Sequence, residues 1–144
     1  MIRSCLRVFG ALVLAAALVS PGAAQVPEAF DMPWSDVAPH LDDGAIRVAA
    51  VGRPDERIRR FEARRDSARR QARERALSLL HRWADDALAA VHAEPREASR
   101  VHAALAEARV ERVRPRADAS AVVVLRLDAS ALREACGRAG LPWS

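Results

Sequence analysis

Ala121-Val-Val-Val-Leu-Arg-Leu127, followed by Asp128, is the stretch on which the fold turns. Six of its seven side chains are apolar, and three in a row are Val. A short continuous apolar run rich in β-branched residues, with turn residues ahead of it, reads as a strand buried in a sheet. Pro115 to Ser120 supplies the turn, and Arg109-Val-Glu-Arg-Val-Arg114 before it reads as a polar-rich strand, with charge on alternate sides of Val110 and Val113. The two runs form a hairpin. Asp128 is a suitable N-cap for a last helix, Ala129 to Ala139, closed near Gly137 or Gly140. Residues 141–144 are a short tail.

Upstream, Ala45-Ile-Arg-Val-Ala-Ala-Val51-Gly52 is a further strand, with β-branched residues at 46, 48 and 51, ended by Gly52 and Pro54. Asp42-Asp43-Gly44 is a turn signal ahead of it. Asp55 to Ala93 contains no Pro or Gly and predicts a long helix, with Asp55 or Glu56 at its positive end. On a helical projection Ile58, Phe61, Ala72, Ala76, Leu79, Leu80, Trp83, Ala87 and Val91 share one face, and Arg65 and Arg69 interrupt it. Either those two guanidiniums meet buried acceptors or the first half of the helix projects beyond the core. Projection is the expectation, because burying an unpaired charge is so costly. Pro95 opens a shorter helix whose apolar positions are Ala98, Val101, Ala104, Leu105 and Ala108. The order of elements predicts an α+β fold: a small antiparallel sheet of about three strands, covered by one long and two shorter helices.

The chain has 144 residues, 23 Arg, no Lys, 19 acidic side chains and a formal charge of +4. That length fits one domain. At 51% apolar and 29% charged it is not a disordered composition, although 32 Ala inflate the apolar share. With 3 Phe, 3 Trp and no Tyr, large anchors for a core or a binding surface are few. The use of Arg for every cation raises the pI, so a basic pI is weak ground for nucleic-acid binding. Composition excludes a membrane bundle, a collagen and a disulfide scaffold.

Arg3 and Arg7, an apolar run from Val8 to Val19, and small residues up to Ala24 have the layout of a secretory signal cleaved after Ala24. The run is too short to span a bilayer, which takes about 20 residues. Residues 1–24 are therefore expected to be a signal peptide, 25–44 an extended acidic arm of charge −5, and 45–140 a single α+β domain. No transmembrane span is expected after processing. The expected location is periplasmic or envelope-associated. A lipid anchor is not supported, because Cys5 lies on the wrong side of the apolar block. Cys136 is then the single remaining thiol, read as a small apolar core residue four positions after Leu132.

The strand ending at Val51-Gly52, the repeat Ala68-Arg-Arg-Gln-Ala72-Arg-Glu-Arg-Ala76-Leu77, and the block Asp118 to Asp128 followed by Leu132 carry a resemblance. Over residues 45 to 135 the chain resembles the LPP-twenty family of small bacterial envelope lipoproteins, whose relatives include flagellar accessory proteins. The resemblance implies an exported α+β domain that works by assembly or envelope contact. This chain departs from it in lacking the lipid-bearing Cys.

Residues 53–75 hold ten Arg and five acids. Charge runs on helices are mostly solvated faces carrying their own ion pairs, and Glu56–Arg60, Asp66–Arg70, Arg70–Glu74, Glu62–Arg65 and Asp66–Arg69 have the spacing for them. As a contact surface, the candidates are Arg60, Arg64, Arg70 and Arg73. His40, His81, His92 and His102 show no zinc-ligand spacing and read as surface or boundary residues. Asp85 and Asp86 are adjacent on a helix and point apart. Nucleophile elbows, Gly-rich phosphate loops and Cys–His spacings are absent from the sequence. No catalytic residue, metal or cofactor is expected. The function expected is that of an exported non-enzymatic envelope protein acting as an assembly or interaction module. Its alternative is a monomeric periplasmic module that binds an anionic envelope ligand through the Arg-rich helix. Self-association or an envelope protein is the partner expected, and nucleic acid is not.

Overall fold

The computed structural model describes residues 35–42 and 44–138. The expected signal peptide, the arm up to Trp34, Asp43 and the tail with Gly140 lie outside the described residues. Within them the fold is α+β, with the elements β1 (Val37–Asp42), β2 (Ala45–Gly52), α1 (Phe61–Ala90), α2 (Pro95–Leu105), β3 (Arg109–Pro115), β4 (Ala121–Asp128) and α3 (Ala129–Arg138). The strands form one antiparallel sheet in the order β1-β2-β4-β3. β4 is central, as its unbroken apolar run required.

The sheet has four strands where about three were expected. The additional strand, β1, comes from the acidic arm. Pro39 and Asp42 argue against a central strand, but β1 is an edge, where a missing N–H faces no partner. Its register with β2 slips between Val37 and His40, so the pairing steps past Pro39. Gly44 turns the hairpin at φ +71°, and its carbonyl accepts the Ala129 N–H at 3.0 Å. That bond ties the start of α3 to the first hairpin.

α1 starts at Phe61, six residues later than Asp55. The Asp55 carboxylate accepts the Arg57 N–H at 2.9 Å and closes a local turn instead of capping the helix. The loop is then strapped along α1: Gln71 Oε1 accepts the Arg53 N–H at 2.6 Å, and Ser67 Oγ accepts the Asp55 N–H at 2.9 Å. α2 begins at Pro95 behind a capping box of Glu94 and Glu97. Asp128 caps α3 through the Ser130 N–H at 2.8 Å, as expected.

The buried line of α1 is Ala68, Ala72, Ala76, Leu80, Ala84 and Leu88, with Ala87 beside it. This differs from the single face expected, which omitted Ala68, Ala84 and Leu88 and included Phe61, now 49% exposed. Residues four apart drift by about 40° around a helix, so a contact line of this spacing winds round the cylinder. Arg65 and Arg69 fall on its flank. Arg65 is half-buried, stacked over Phe61 at 5.9 Å and paired with Glu62 at 3.5 Å, while Arg69 is exposed. At about 45 Å the helix exceeds the strands, at about 27 Å, and none of its residues before Ala68 is fully buried.

Gly52 lets α1 approach the sheet. A Cβ there would stand 1.9 Å from the Ala68 carbonyl oxygen and 2.6 Å from the Ala72 nitrogen. Around this contact the core gathers Ile46, Val48, Val123, Leu125 and Leu127 of the sheet with Leu80, Leu105 and Leu132 of the three helices. Cys136 belongs to the same core, and burial pushes its thiol pKa up, as suits an apolar filler. Substituting Gly52→Ala forces backbone from backbone, so it should destabilise by about 3 kcal/mol or more, read as a lowered urea midpoint.

α1 ends in a Schellman motif, with the Ala93 N–H on the Leu88 carbonyl and the His92 N–H on that of Ala89. His92 is exposed and left-handed at φ 53°. His92→Gly removes that strain at the expense of chain entropy and should raise stability by about 0.5–1 kcal/mol in urea unfolding.

Candidate functional site

All three helices pack on one face of the sheet, the face of Ile46, Val48, Val123, Leu125 and Leu127. The other face follows from the register. His40 pairs with Arg47, Arg47 with Arg126, and Arg126 with Arg109, which sets three guanidiniums in one row across β2, β4 and β3. Arg112 stands opposite Val124 and Arg114 opposite Val122 on the same face. β3 slips register between Val110 and Arg112, so Glu111 and Arg112 share one step of the ladder and both reach this face. Beneath the charges, Val37 packs on Ala49 and Val124.

Directly opposed like charges destabilise a sheet. Glu111 offsets this row. Its carboxylate spans over β4 to Arg47, with Nε to Oε2 at 2.9 Å and Nη2 to Oε1 at 3.3 Å. The hydrogen bond from Arg47 holds the Glu111 pKa below the usual carboxylate value against the opposing effect of burial, helped by the charges of Arg47, Arg126 and Arg112. Arg109, Arg112, Arg114 and Arg126 are exposed, while Arg47 is half-buried. A groove of about 470 Å³ opens beside them, lined by Arg109, Glu111, Arg126 and Asp128 among others. The face is thus rich in guanidiniums, with the Glu111 carboxylate set among them and Asp128 at the groove, and is able to receive anionic oxygens.

The structure does not bring Arg60, Arg64, Arg70 and Arg73 together. Arg60 is the N-cap residue of α1 and Arg64 is half-buried, its Nε buried without a hydrogen-bond partner. Arg70 and Arg73 are exposed. Nine residues turn a helix by about 180°, so Arg64 and Arg73 point in opposite directions. An α1 arginine with a tertiary role is Arg75, which pairs with Asp36 at 2.5 Å. Asp36 also accepts the Val51 N–H at 2.9 Å. Burial opposes its charge, but the Val51 and Arg75 hydrogen bonds hold its pKa below the usual value. One acid of the arm thereby meets the Arg-rich helix.

The Ser side chains near these surfaces have structural partners. Ser67 donates to the Arg64 carbonyl, Ser78 to that of Glu74, Ser99 to that of Pro95, and Ser120 to the Asp118 carboxylate. Among the described residues no helix is long and apolar enough to cross a membrane. Comparison with family models, with curated proteins and with solved structures found no match to this chain.

Asp36 and Glu111 have depressed folded-state pKa values, so the stability they contribute is complete above the unfolded values near 4 and is lost as pH falls through the folded ones. Glu111→Gln should cost about 1 kcal/mol at neutral pH in low salt. The loss should shrink at high salt, and the acid limb of the stability curve should become shallower. Urea titrations across pH 2–7 (roughly the range over which carboxylates titrate) would read both effects.

Proposed function

We propose that this chain is an exported, non-enzymatic envelope module that works by contact, and that its contact surface is the outer face of the sheet. The observation that carries the reading is the cross-strand row Arg47–Arg126–Arg109, with Arg112 and Arg114 beside it and Glu111 as its counter-charge. Guanidiniums set side by side on one face present several cationic donors to a partner that carries anionic oxygens. The layout of residues 1–24 supports export, and the resemblance to the LPP-twenty family supports a role in assembly or envelope contact. The structural partners of Ser67, Ser78, Ser99 and Ser120 and the burial of Cys136 support a non-catalytic role.

A second reading, self-assembly, is favoured by β3, an edge strand with Val110 39% exposed. Its outer backbone groups can pair with another copy, although its arginines oppose that pairing.

The test is sedimentation of the processed protein with phosphatidylglycerol vesicles over a range of salt. Arg109→Ser combined with Arg126→Ser should abolish binding that the wild type loses steeply with salt, because exposed charges are screened. Changing Arg60, Arg64, Arg70 and Arg73 together should leave most of it. The reverse result would move the surface to the helix. A large, salt-resistant assembly in fractionated cells, with no vesicle binding, would favour the second reading. Recovery from the cytoplasm with residues 1–24 intact would overturn export.

A further inference from the structure

His81 on α1 and His102 on α2 are 21 residues apart in sequence, yet their Nδ1 atoms face each other at 2.9 Å. Their rings lie 23° from parallel, with centroids 5.1 Å apart. The other nitrogen of His102, Nε2, meets Asp85 Oδ1 at 3.0 Å. His81 and Asp85 are four apart on α1, so they hold the His102 ring from both ends. The tautomer of His102 that directs Nε2–H at the carboxylate turns a lone pair at Nδ1 toward His81.

A carboxylate on the far nitrogen of an imidazole whose near nitrogen faces a second imidazole is the second-shell pattern of a metal site. We propose that His81 Nδ1 and His102 Nδ1 form a two-histidine site for a divalent transition metal, with Asp85 as the positioning residue that fixes the His102 tautomer. Metal–nitrogen bonds of about 2.05 Å at a right angle set two nitrogens about 2.9 Å apart, whereas a tetrahedral edge is about 3.3 Å. The observed 2.9 Å is the hydrogen-bond separation of the two rings, and it lies within a small ring movement of either bite. A turn of both rings aims the two lone pairs at one ion. A proton held at His81 Nδ1 against that lone pair passes through solvent to its Nε2, so two neutral rings bind without net proton release. No cluster of three His, Cys, Asp or Glu ligands occurs among the described residues, so water fills the remaining positions. The His102 side chain is 32% exposed, which admits it.

Isothermal titration of the full chain with NiCl₂ tests the site, with thermal unfolding as a second readout. One-to-one binding is expected, together with a rise in the unfolding temperature, because the ion ties α1 to α2. His81→Ala and His102→Ala should each abolish both effects. Asp85→Asn should weaken binding about 10–100-fold. His40→Ala combined with His92→Ala should leave it unchanged. If either alanine variant fails to give a folded far-ultraviolet spectrum, the corresponding His→Gln variant carries the same expectation. Absence of heat in the wild type up to millimolar NiCl₂ would overturn the site. So would affinity that persists in both the His81 and the His102 variants.

Discussion

The close approach of α1 to β2 at Gly52 is the constraint from which the rest of the structure follows. A helix can lie this near a strand only where the strand presents no Cβ at the crossing and the helix only small side chains, and Gly52 against the backbone of Ala68 and Ala72 meets that condition. Once α1 is seated there, its Ala line covers the β2–β4 strip without large side chains. The larger residues, Leu80, Leu105 and Leu132, then fill the space farther along, where α2 and α3 complete the layer. A chain with so few aromatic residues forms its core in this way: short distances take the place of bulk.

Packing all three helices on one face leaves the other face of the sheet to other interactions. A strand has period two, so Arg47, Arg109, Arg112, Arg114 and Arg126, scattered through the sequence, come together on that face. The β3 bulge adds Glu111 to the same side, where it reaches Arg47 across the width of a strand. On the face, repulsion along the row of guanidiniums is set against carboxylates such as that of Glu111. That balance is the physical basis for assigning it a role in contact with anions.

The contact between α1 and α2 has a different chemistry. Apolar burial joins the two helices through the core, while at the rim His81, His102 and Asp85 form a short polar chain across them. His40 and His92 have unrelated places, in an edge strand and at a helix end, so four histidines of similar appearance in the sequence separate into distinct environments.

Much of the fold is legible in the residues because it rests on local rules. The apolar run of β4, the Asp128 cap, Pro95 at the start of α2, and the absence of Pro and Gly through α1 each depend on neighbours in sequence. β1 is not legible in this way, since Pro39 and the acids of the arm are tolerated only because that strand is an edge. The onset of α1 is also displaced, because Gln71 and Ser67 hold the loop from residues that only the folded chain brings near. The candidate contact surface shows the same division. A run of arginines in one helix is conspicuous in sequence, yet helical rotation disperses Arg60, Arg64, Arg70 and Arg73. The arginines of three strands are inconspicuous, and strand order and register assemble them. Sequence by itself determined the kinds of element from Ala45 onward and the supply of positive charge, through local geometry and composition. Tertiary structure decided which charges and which imidazoles meet, because register, bulge and helix rotation are set by packing between residues distant along the chain.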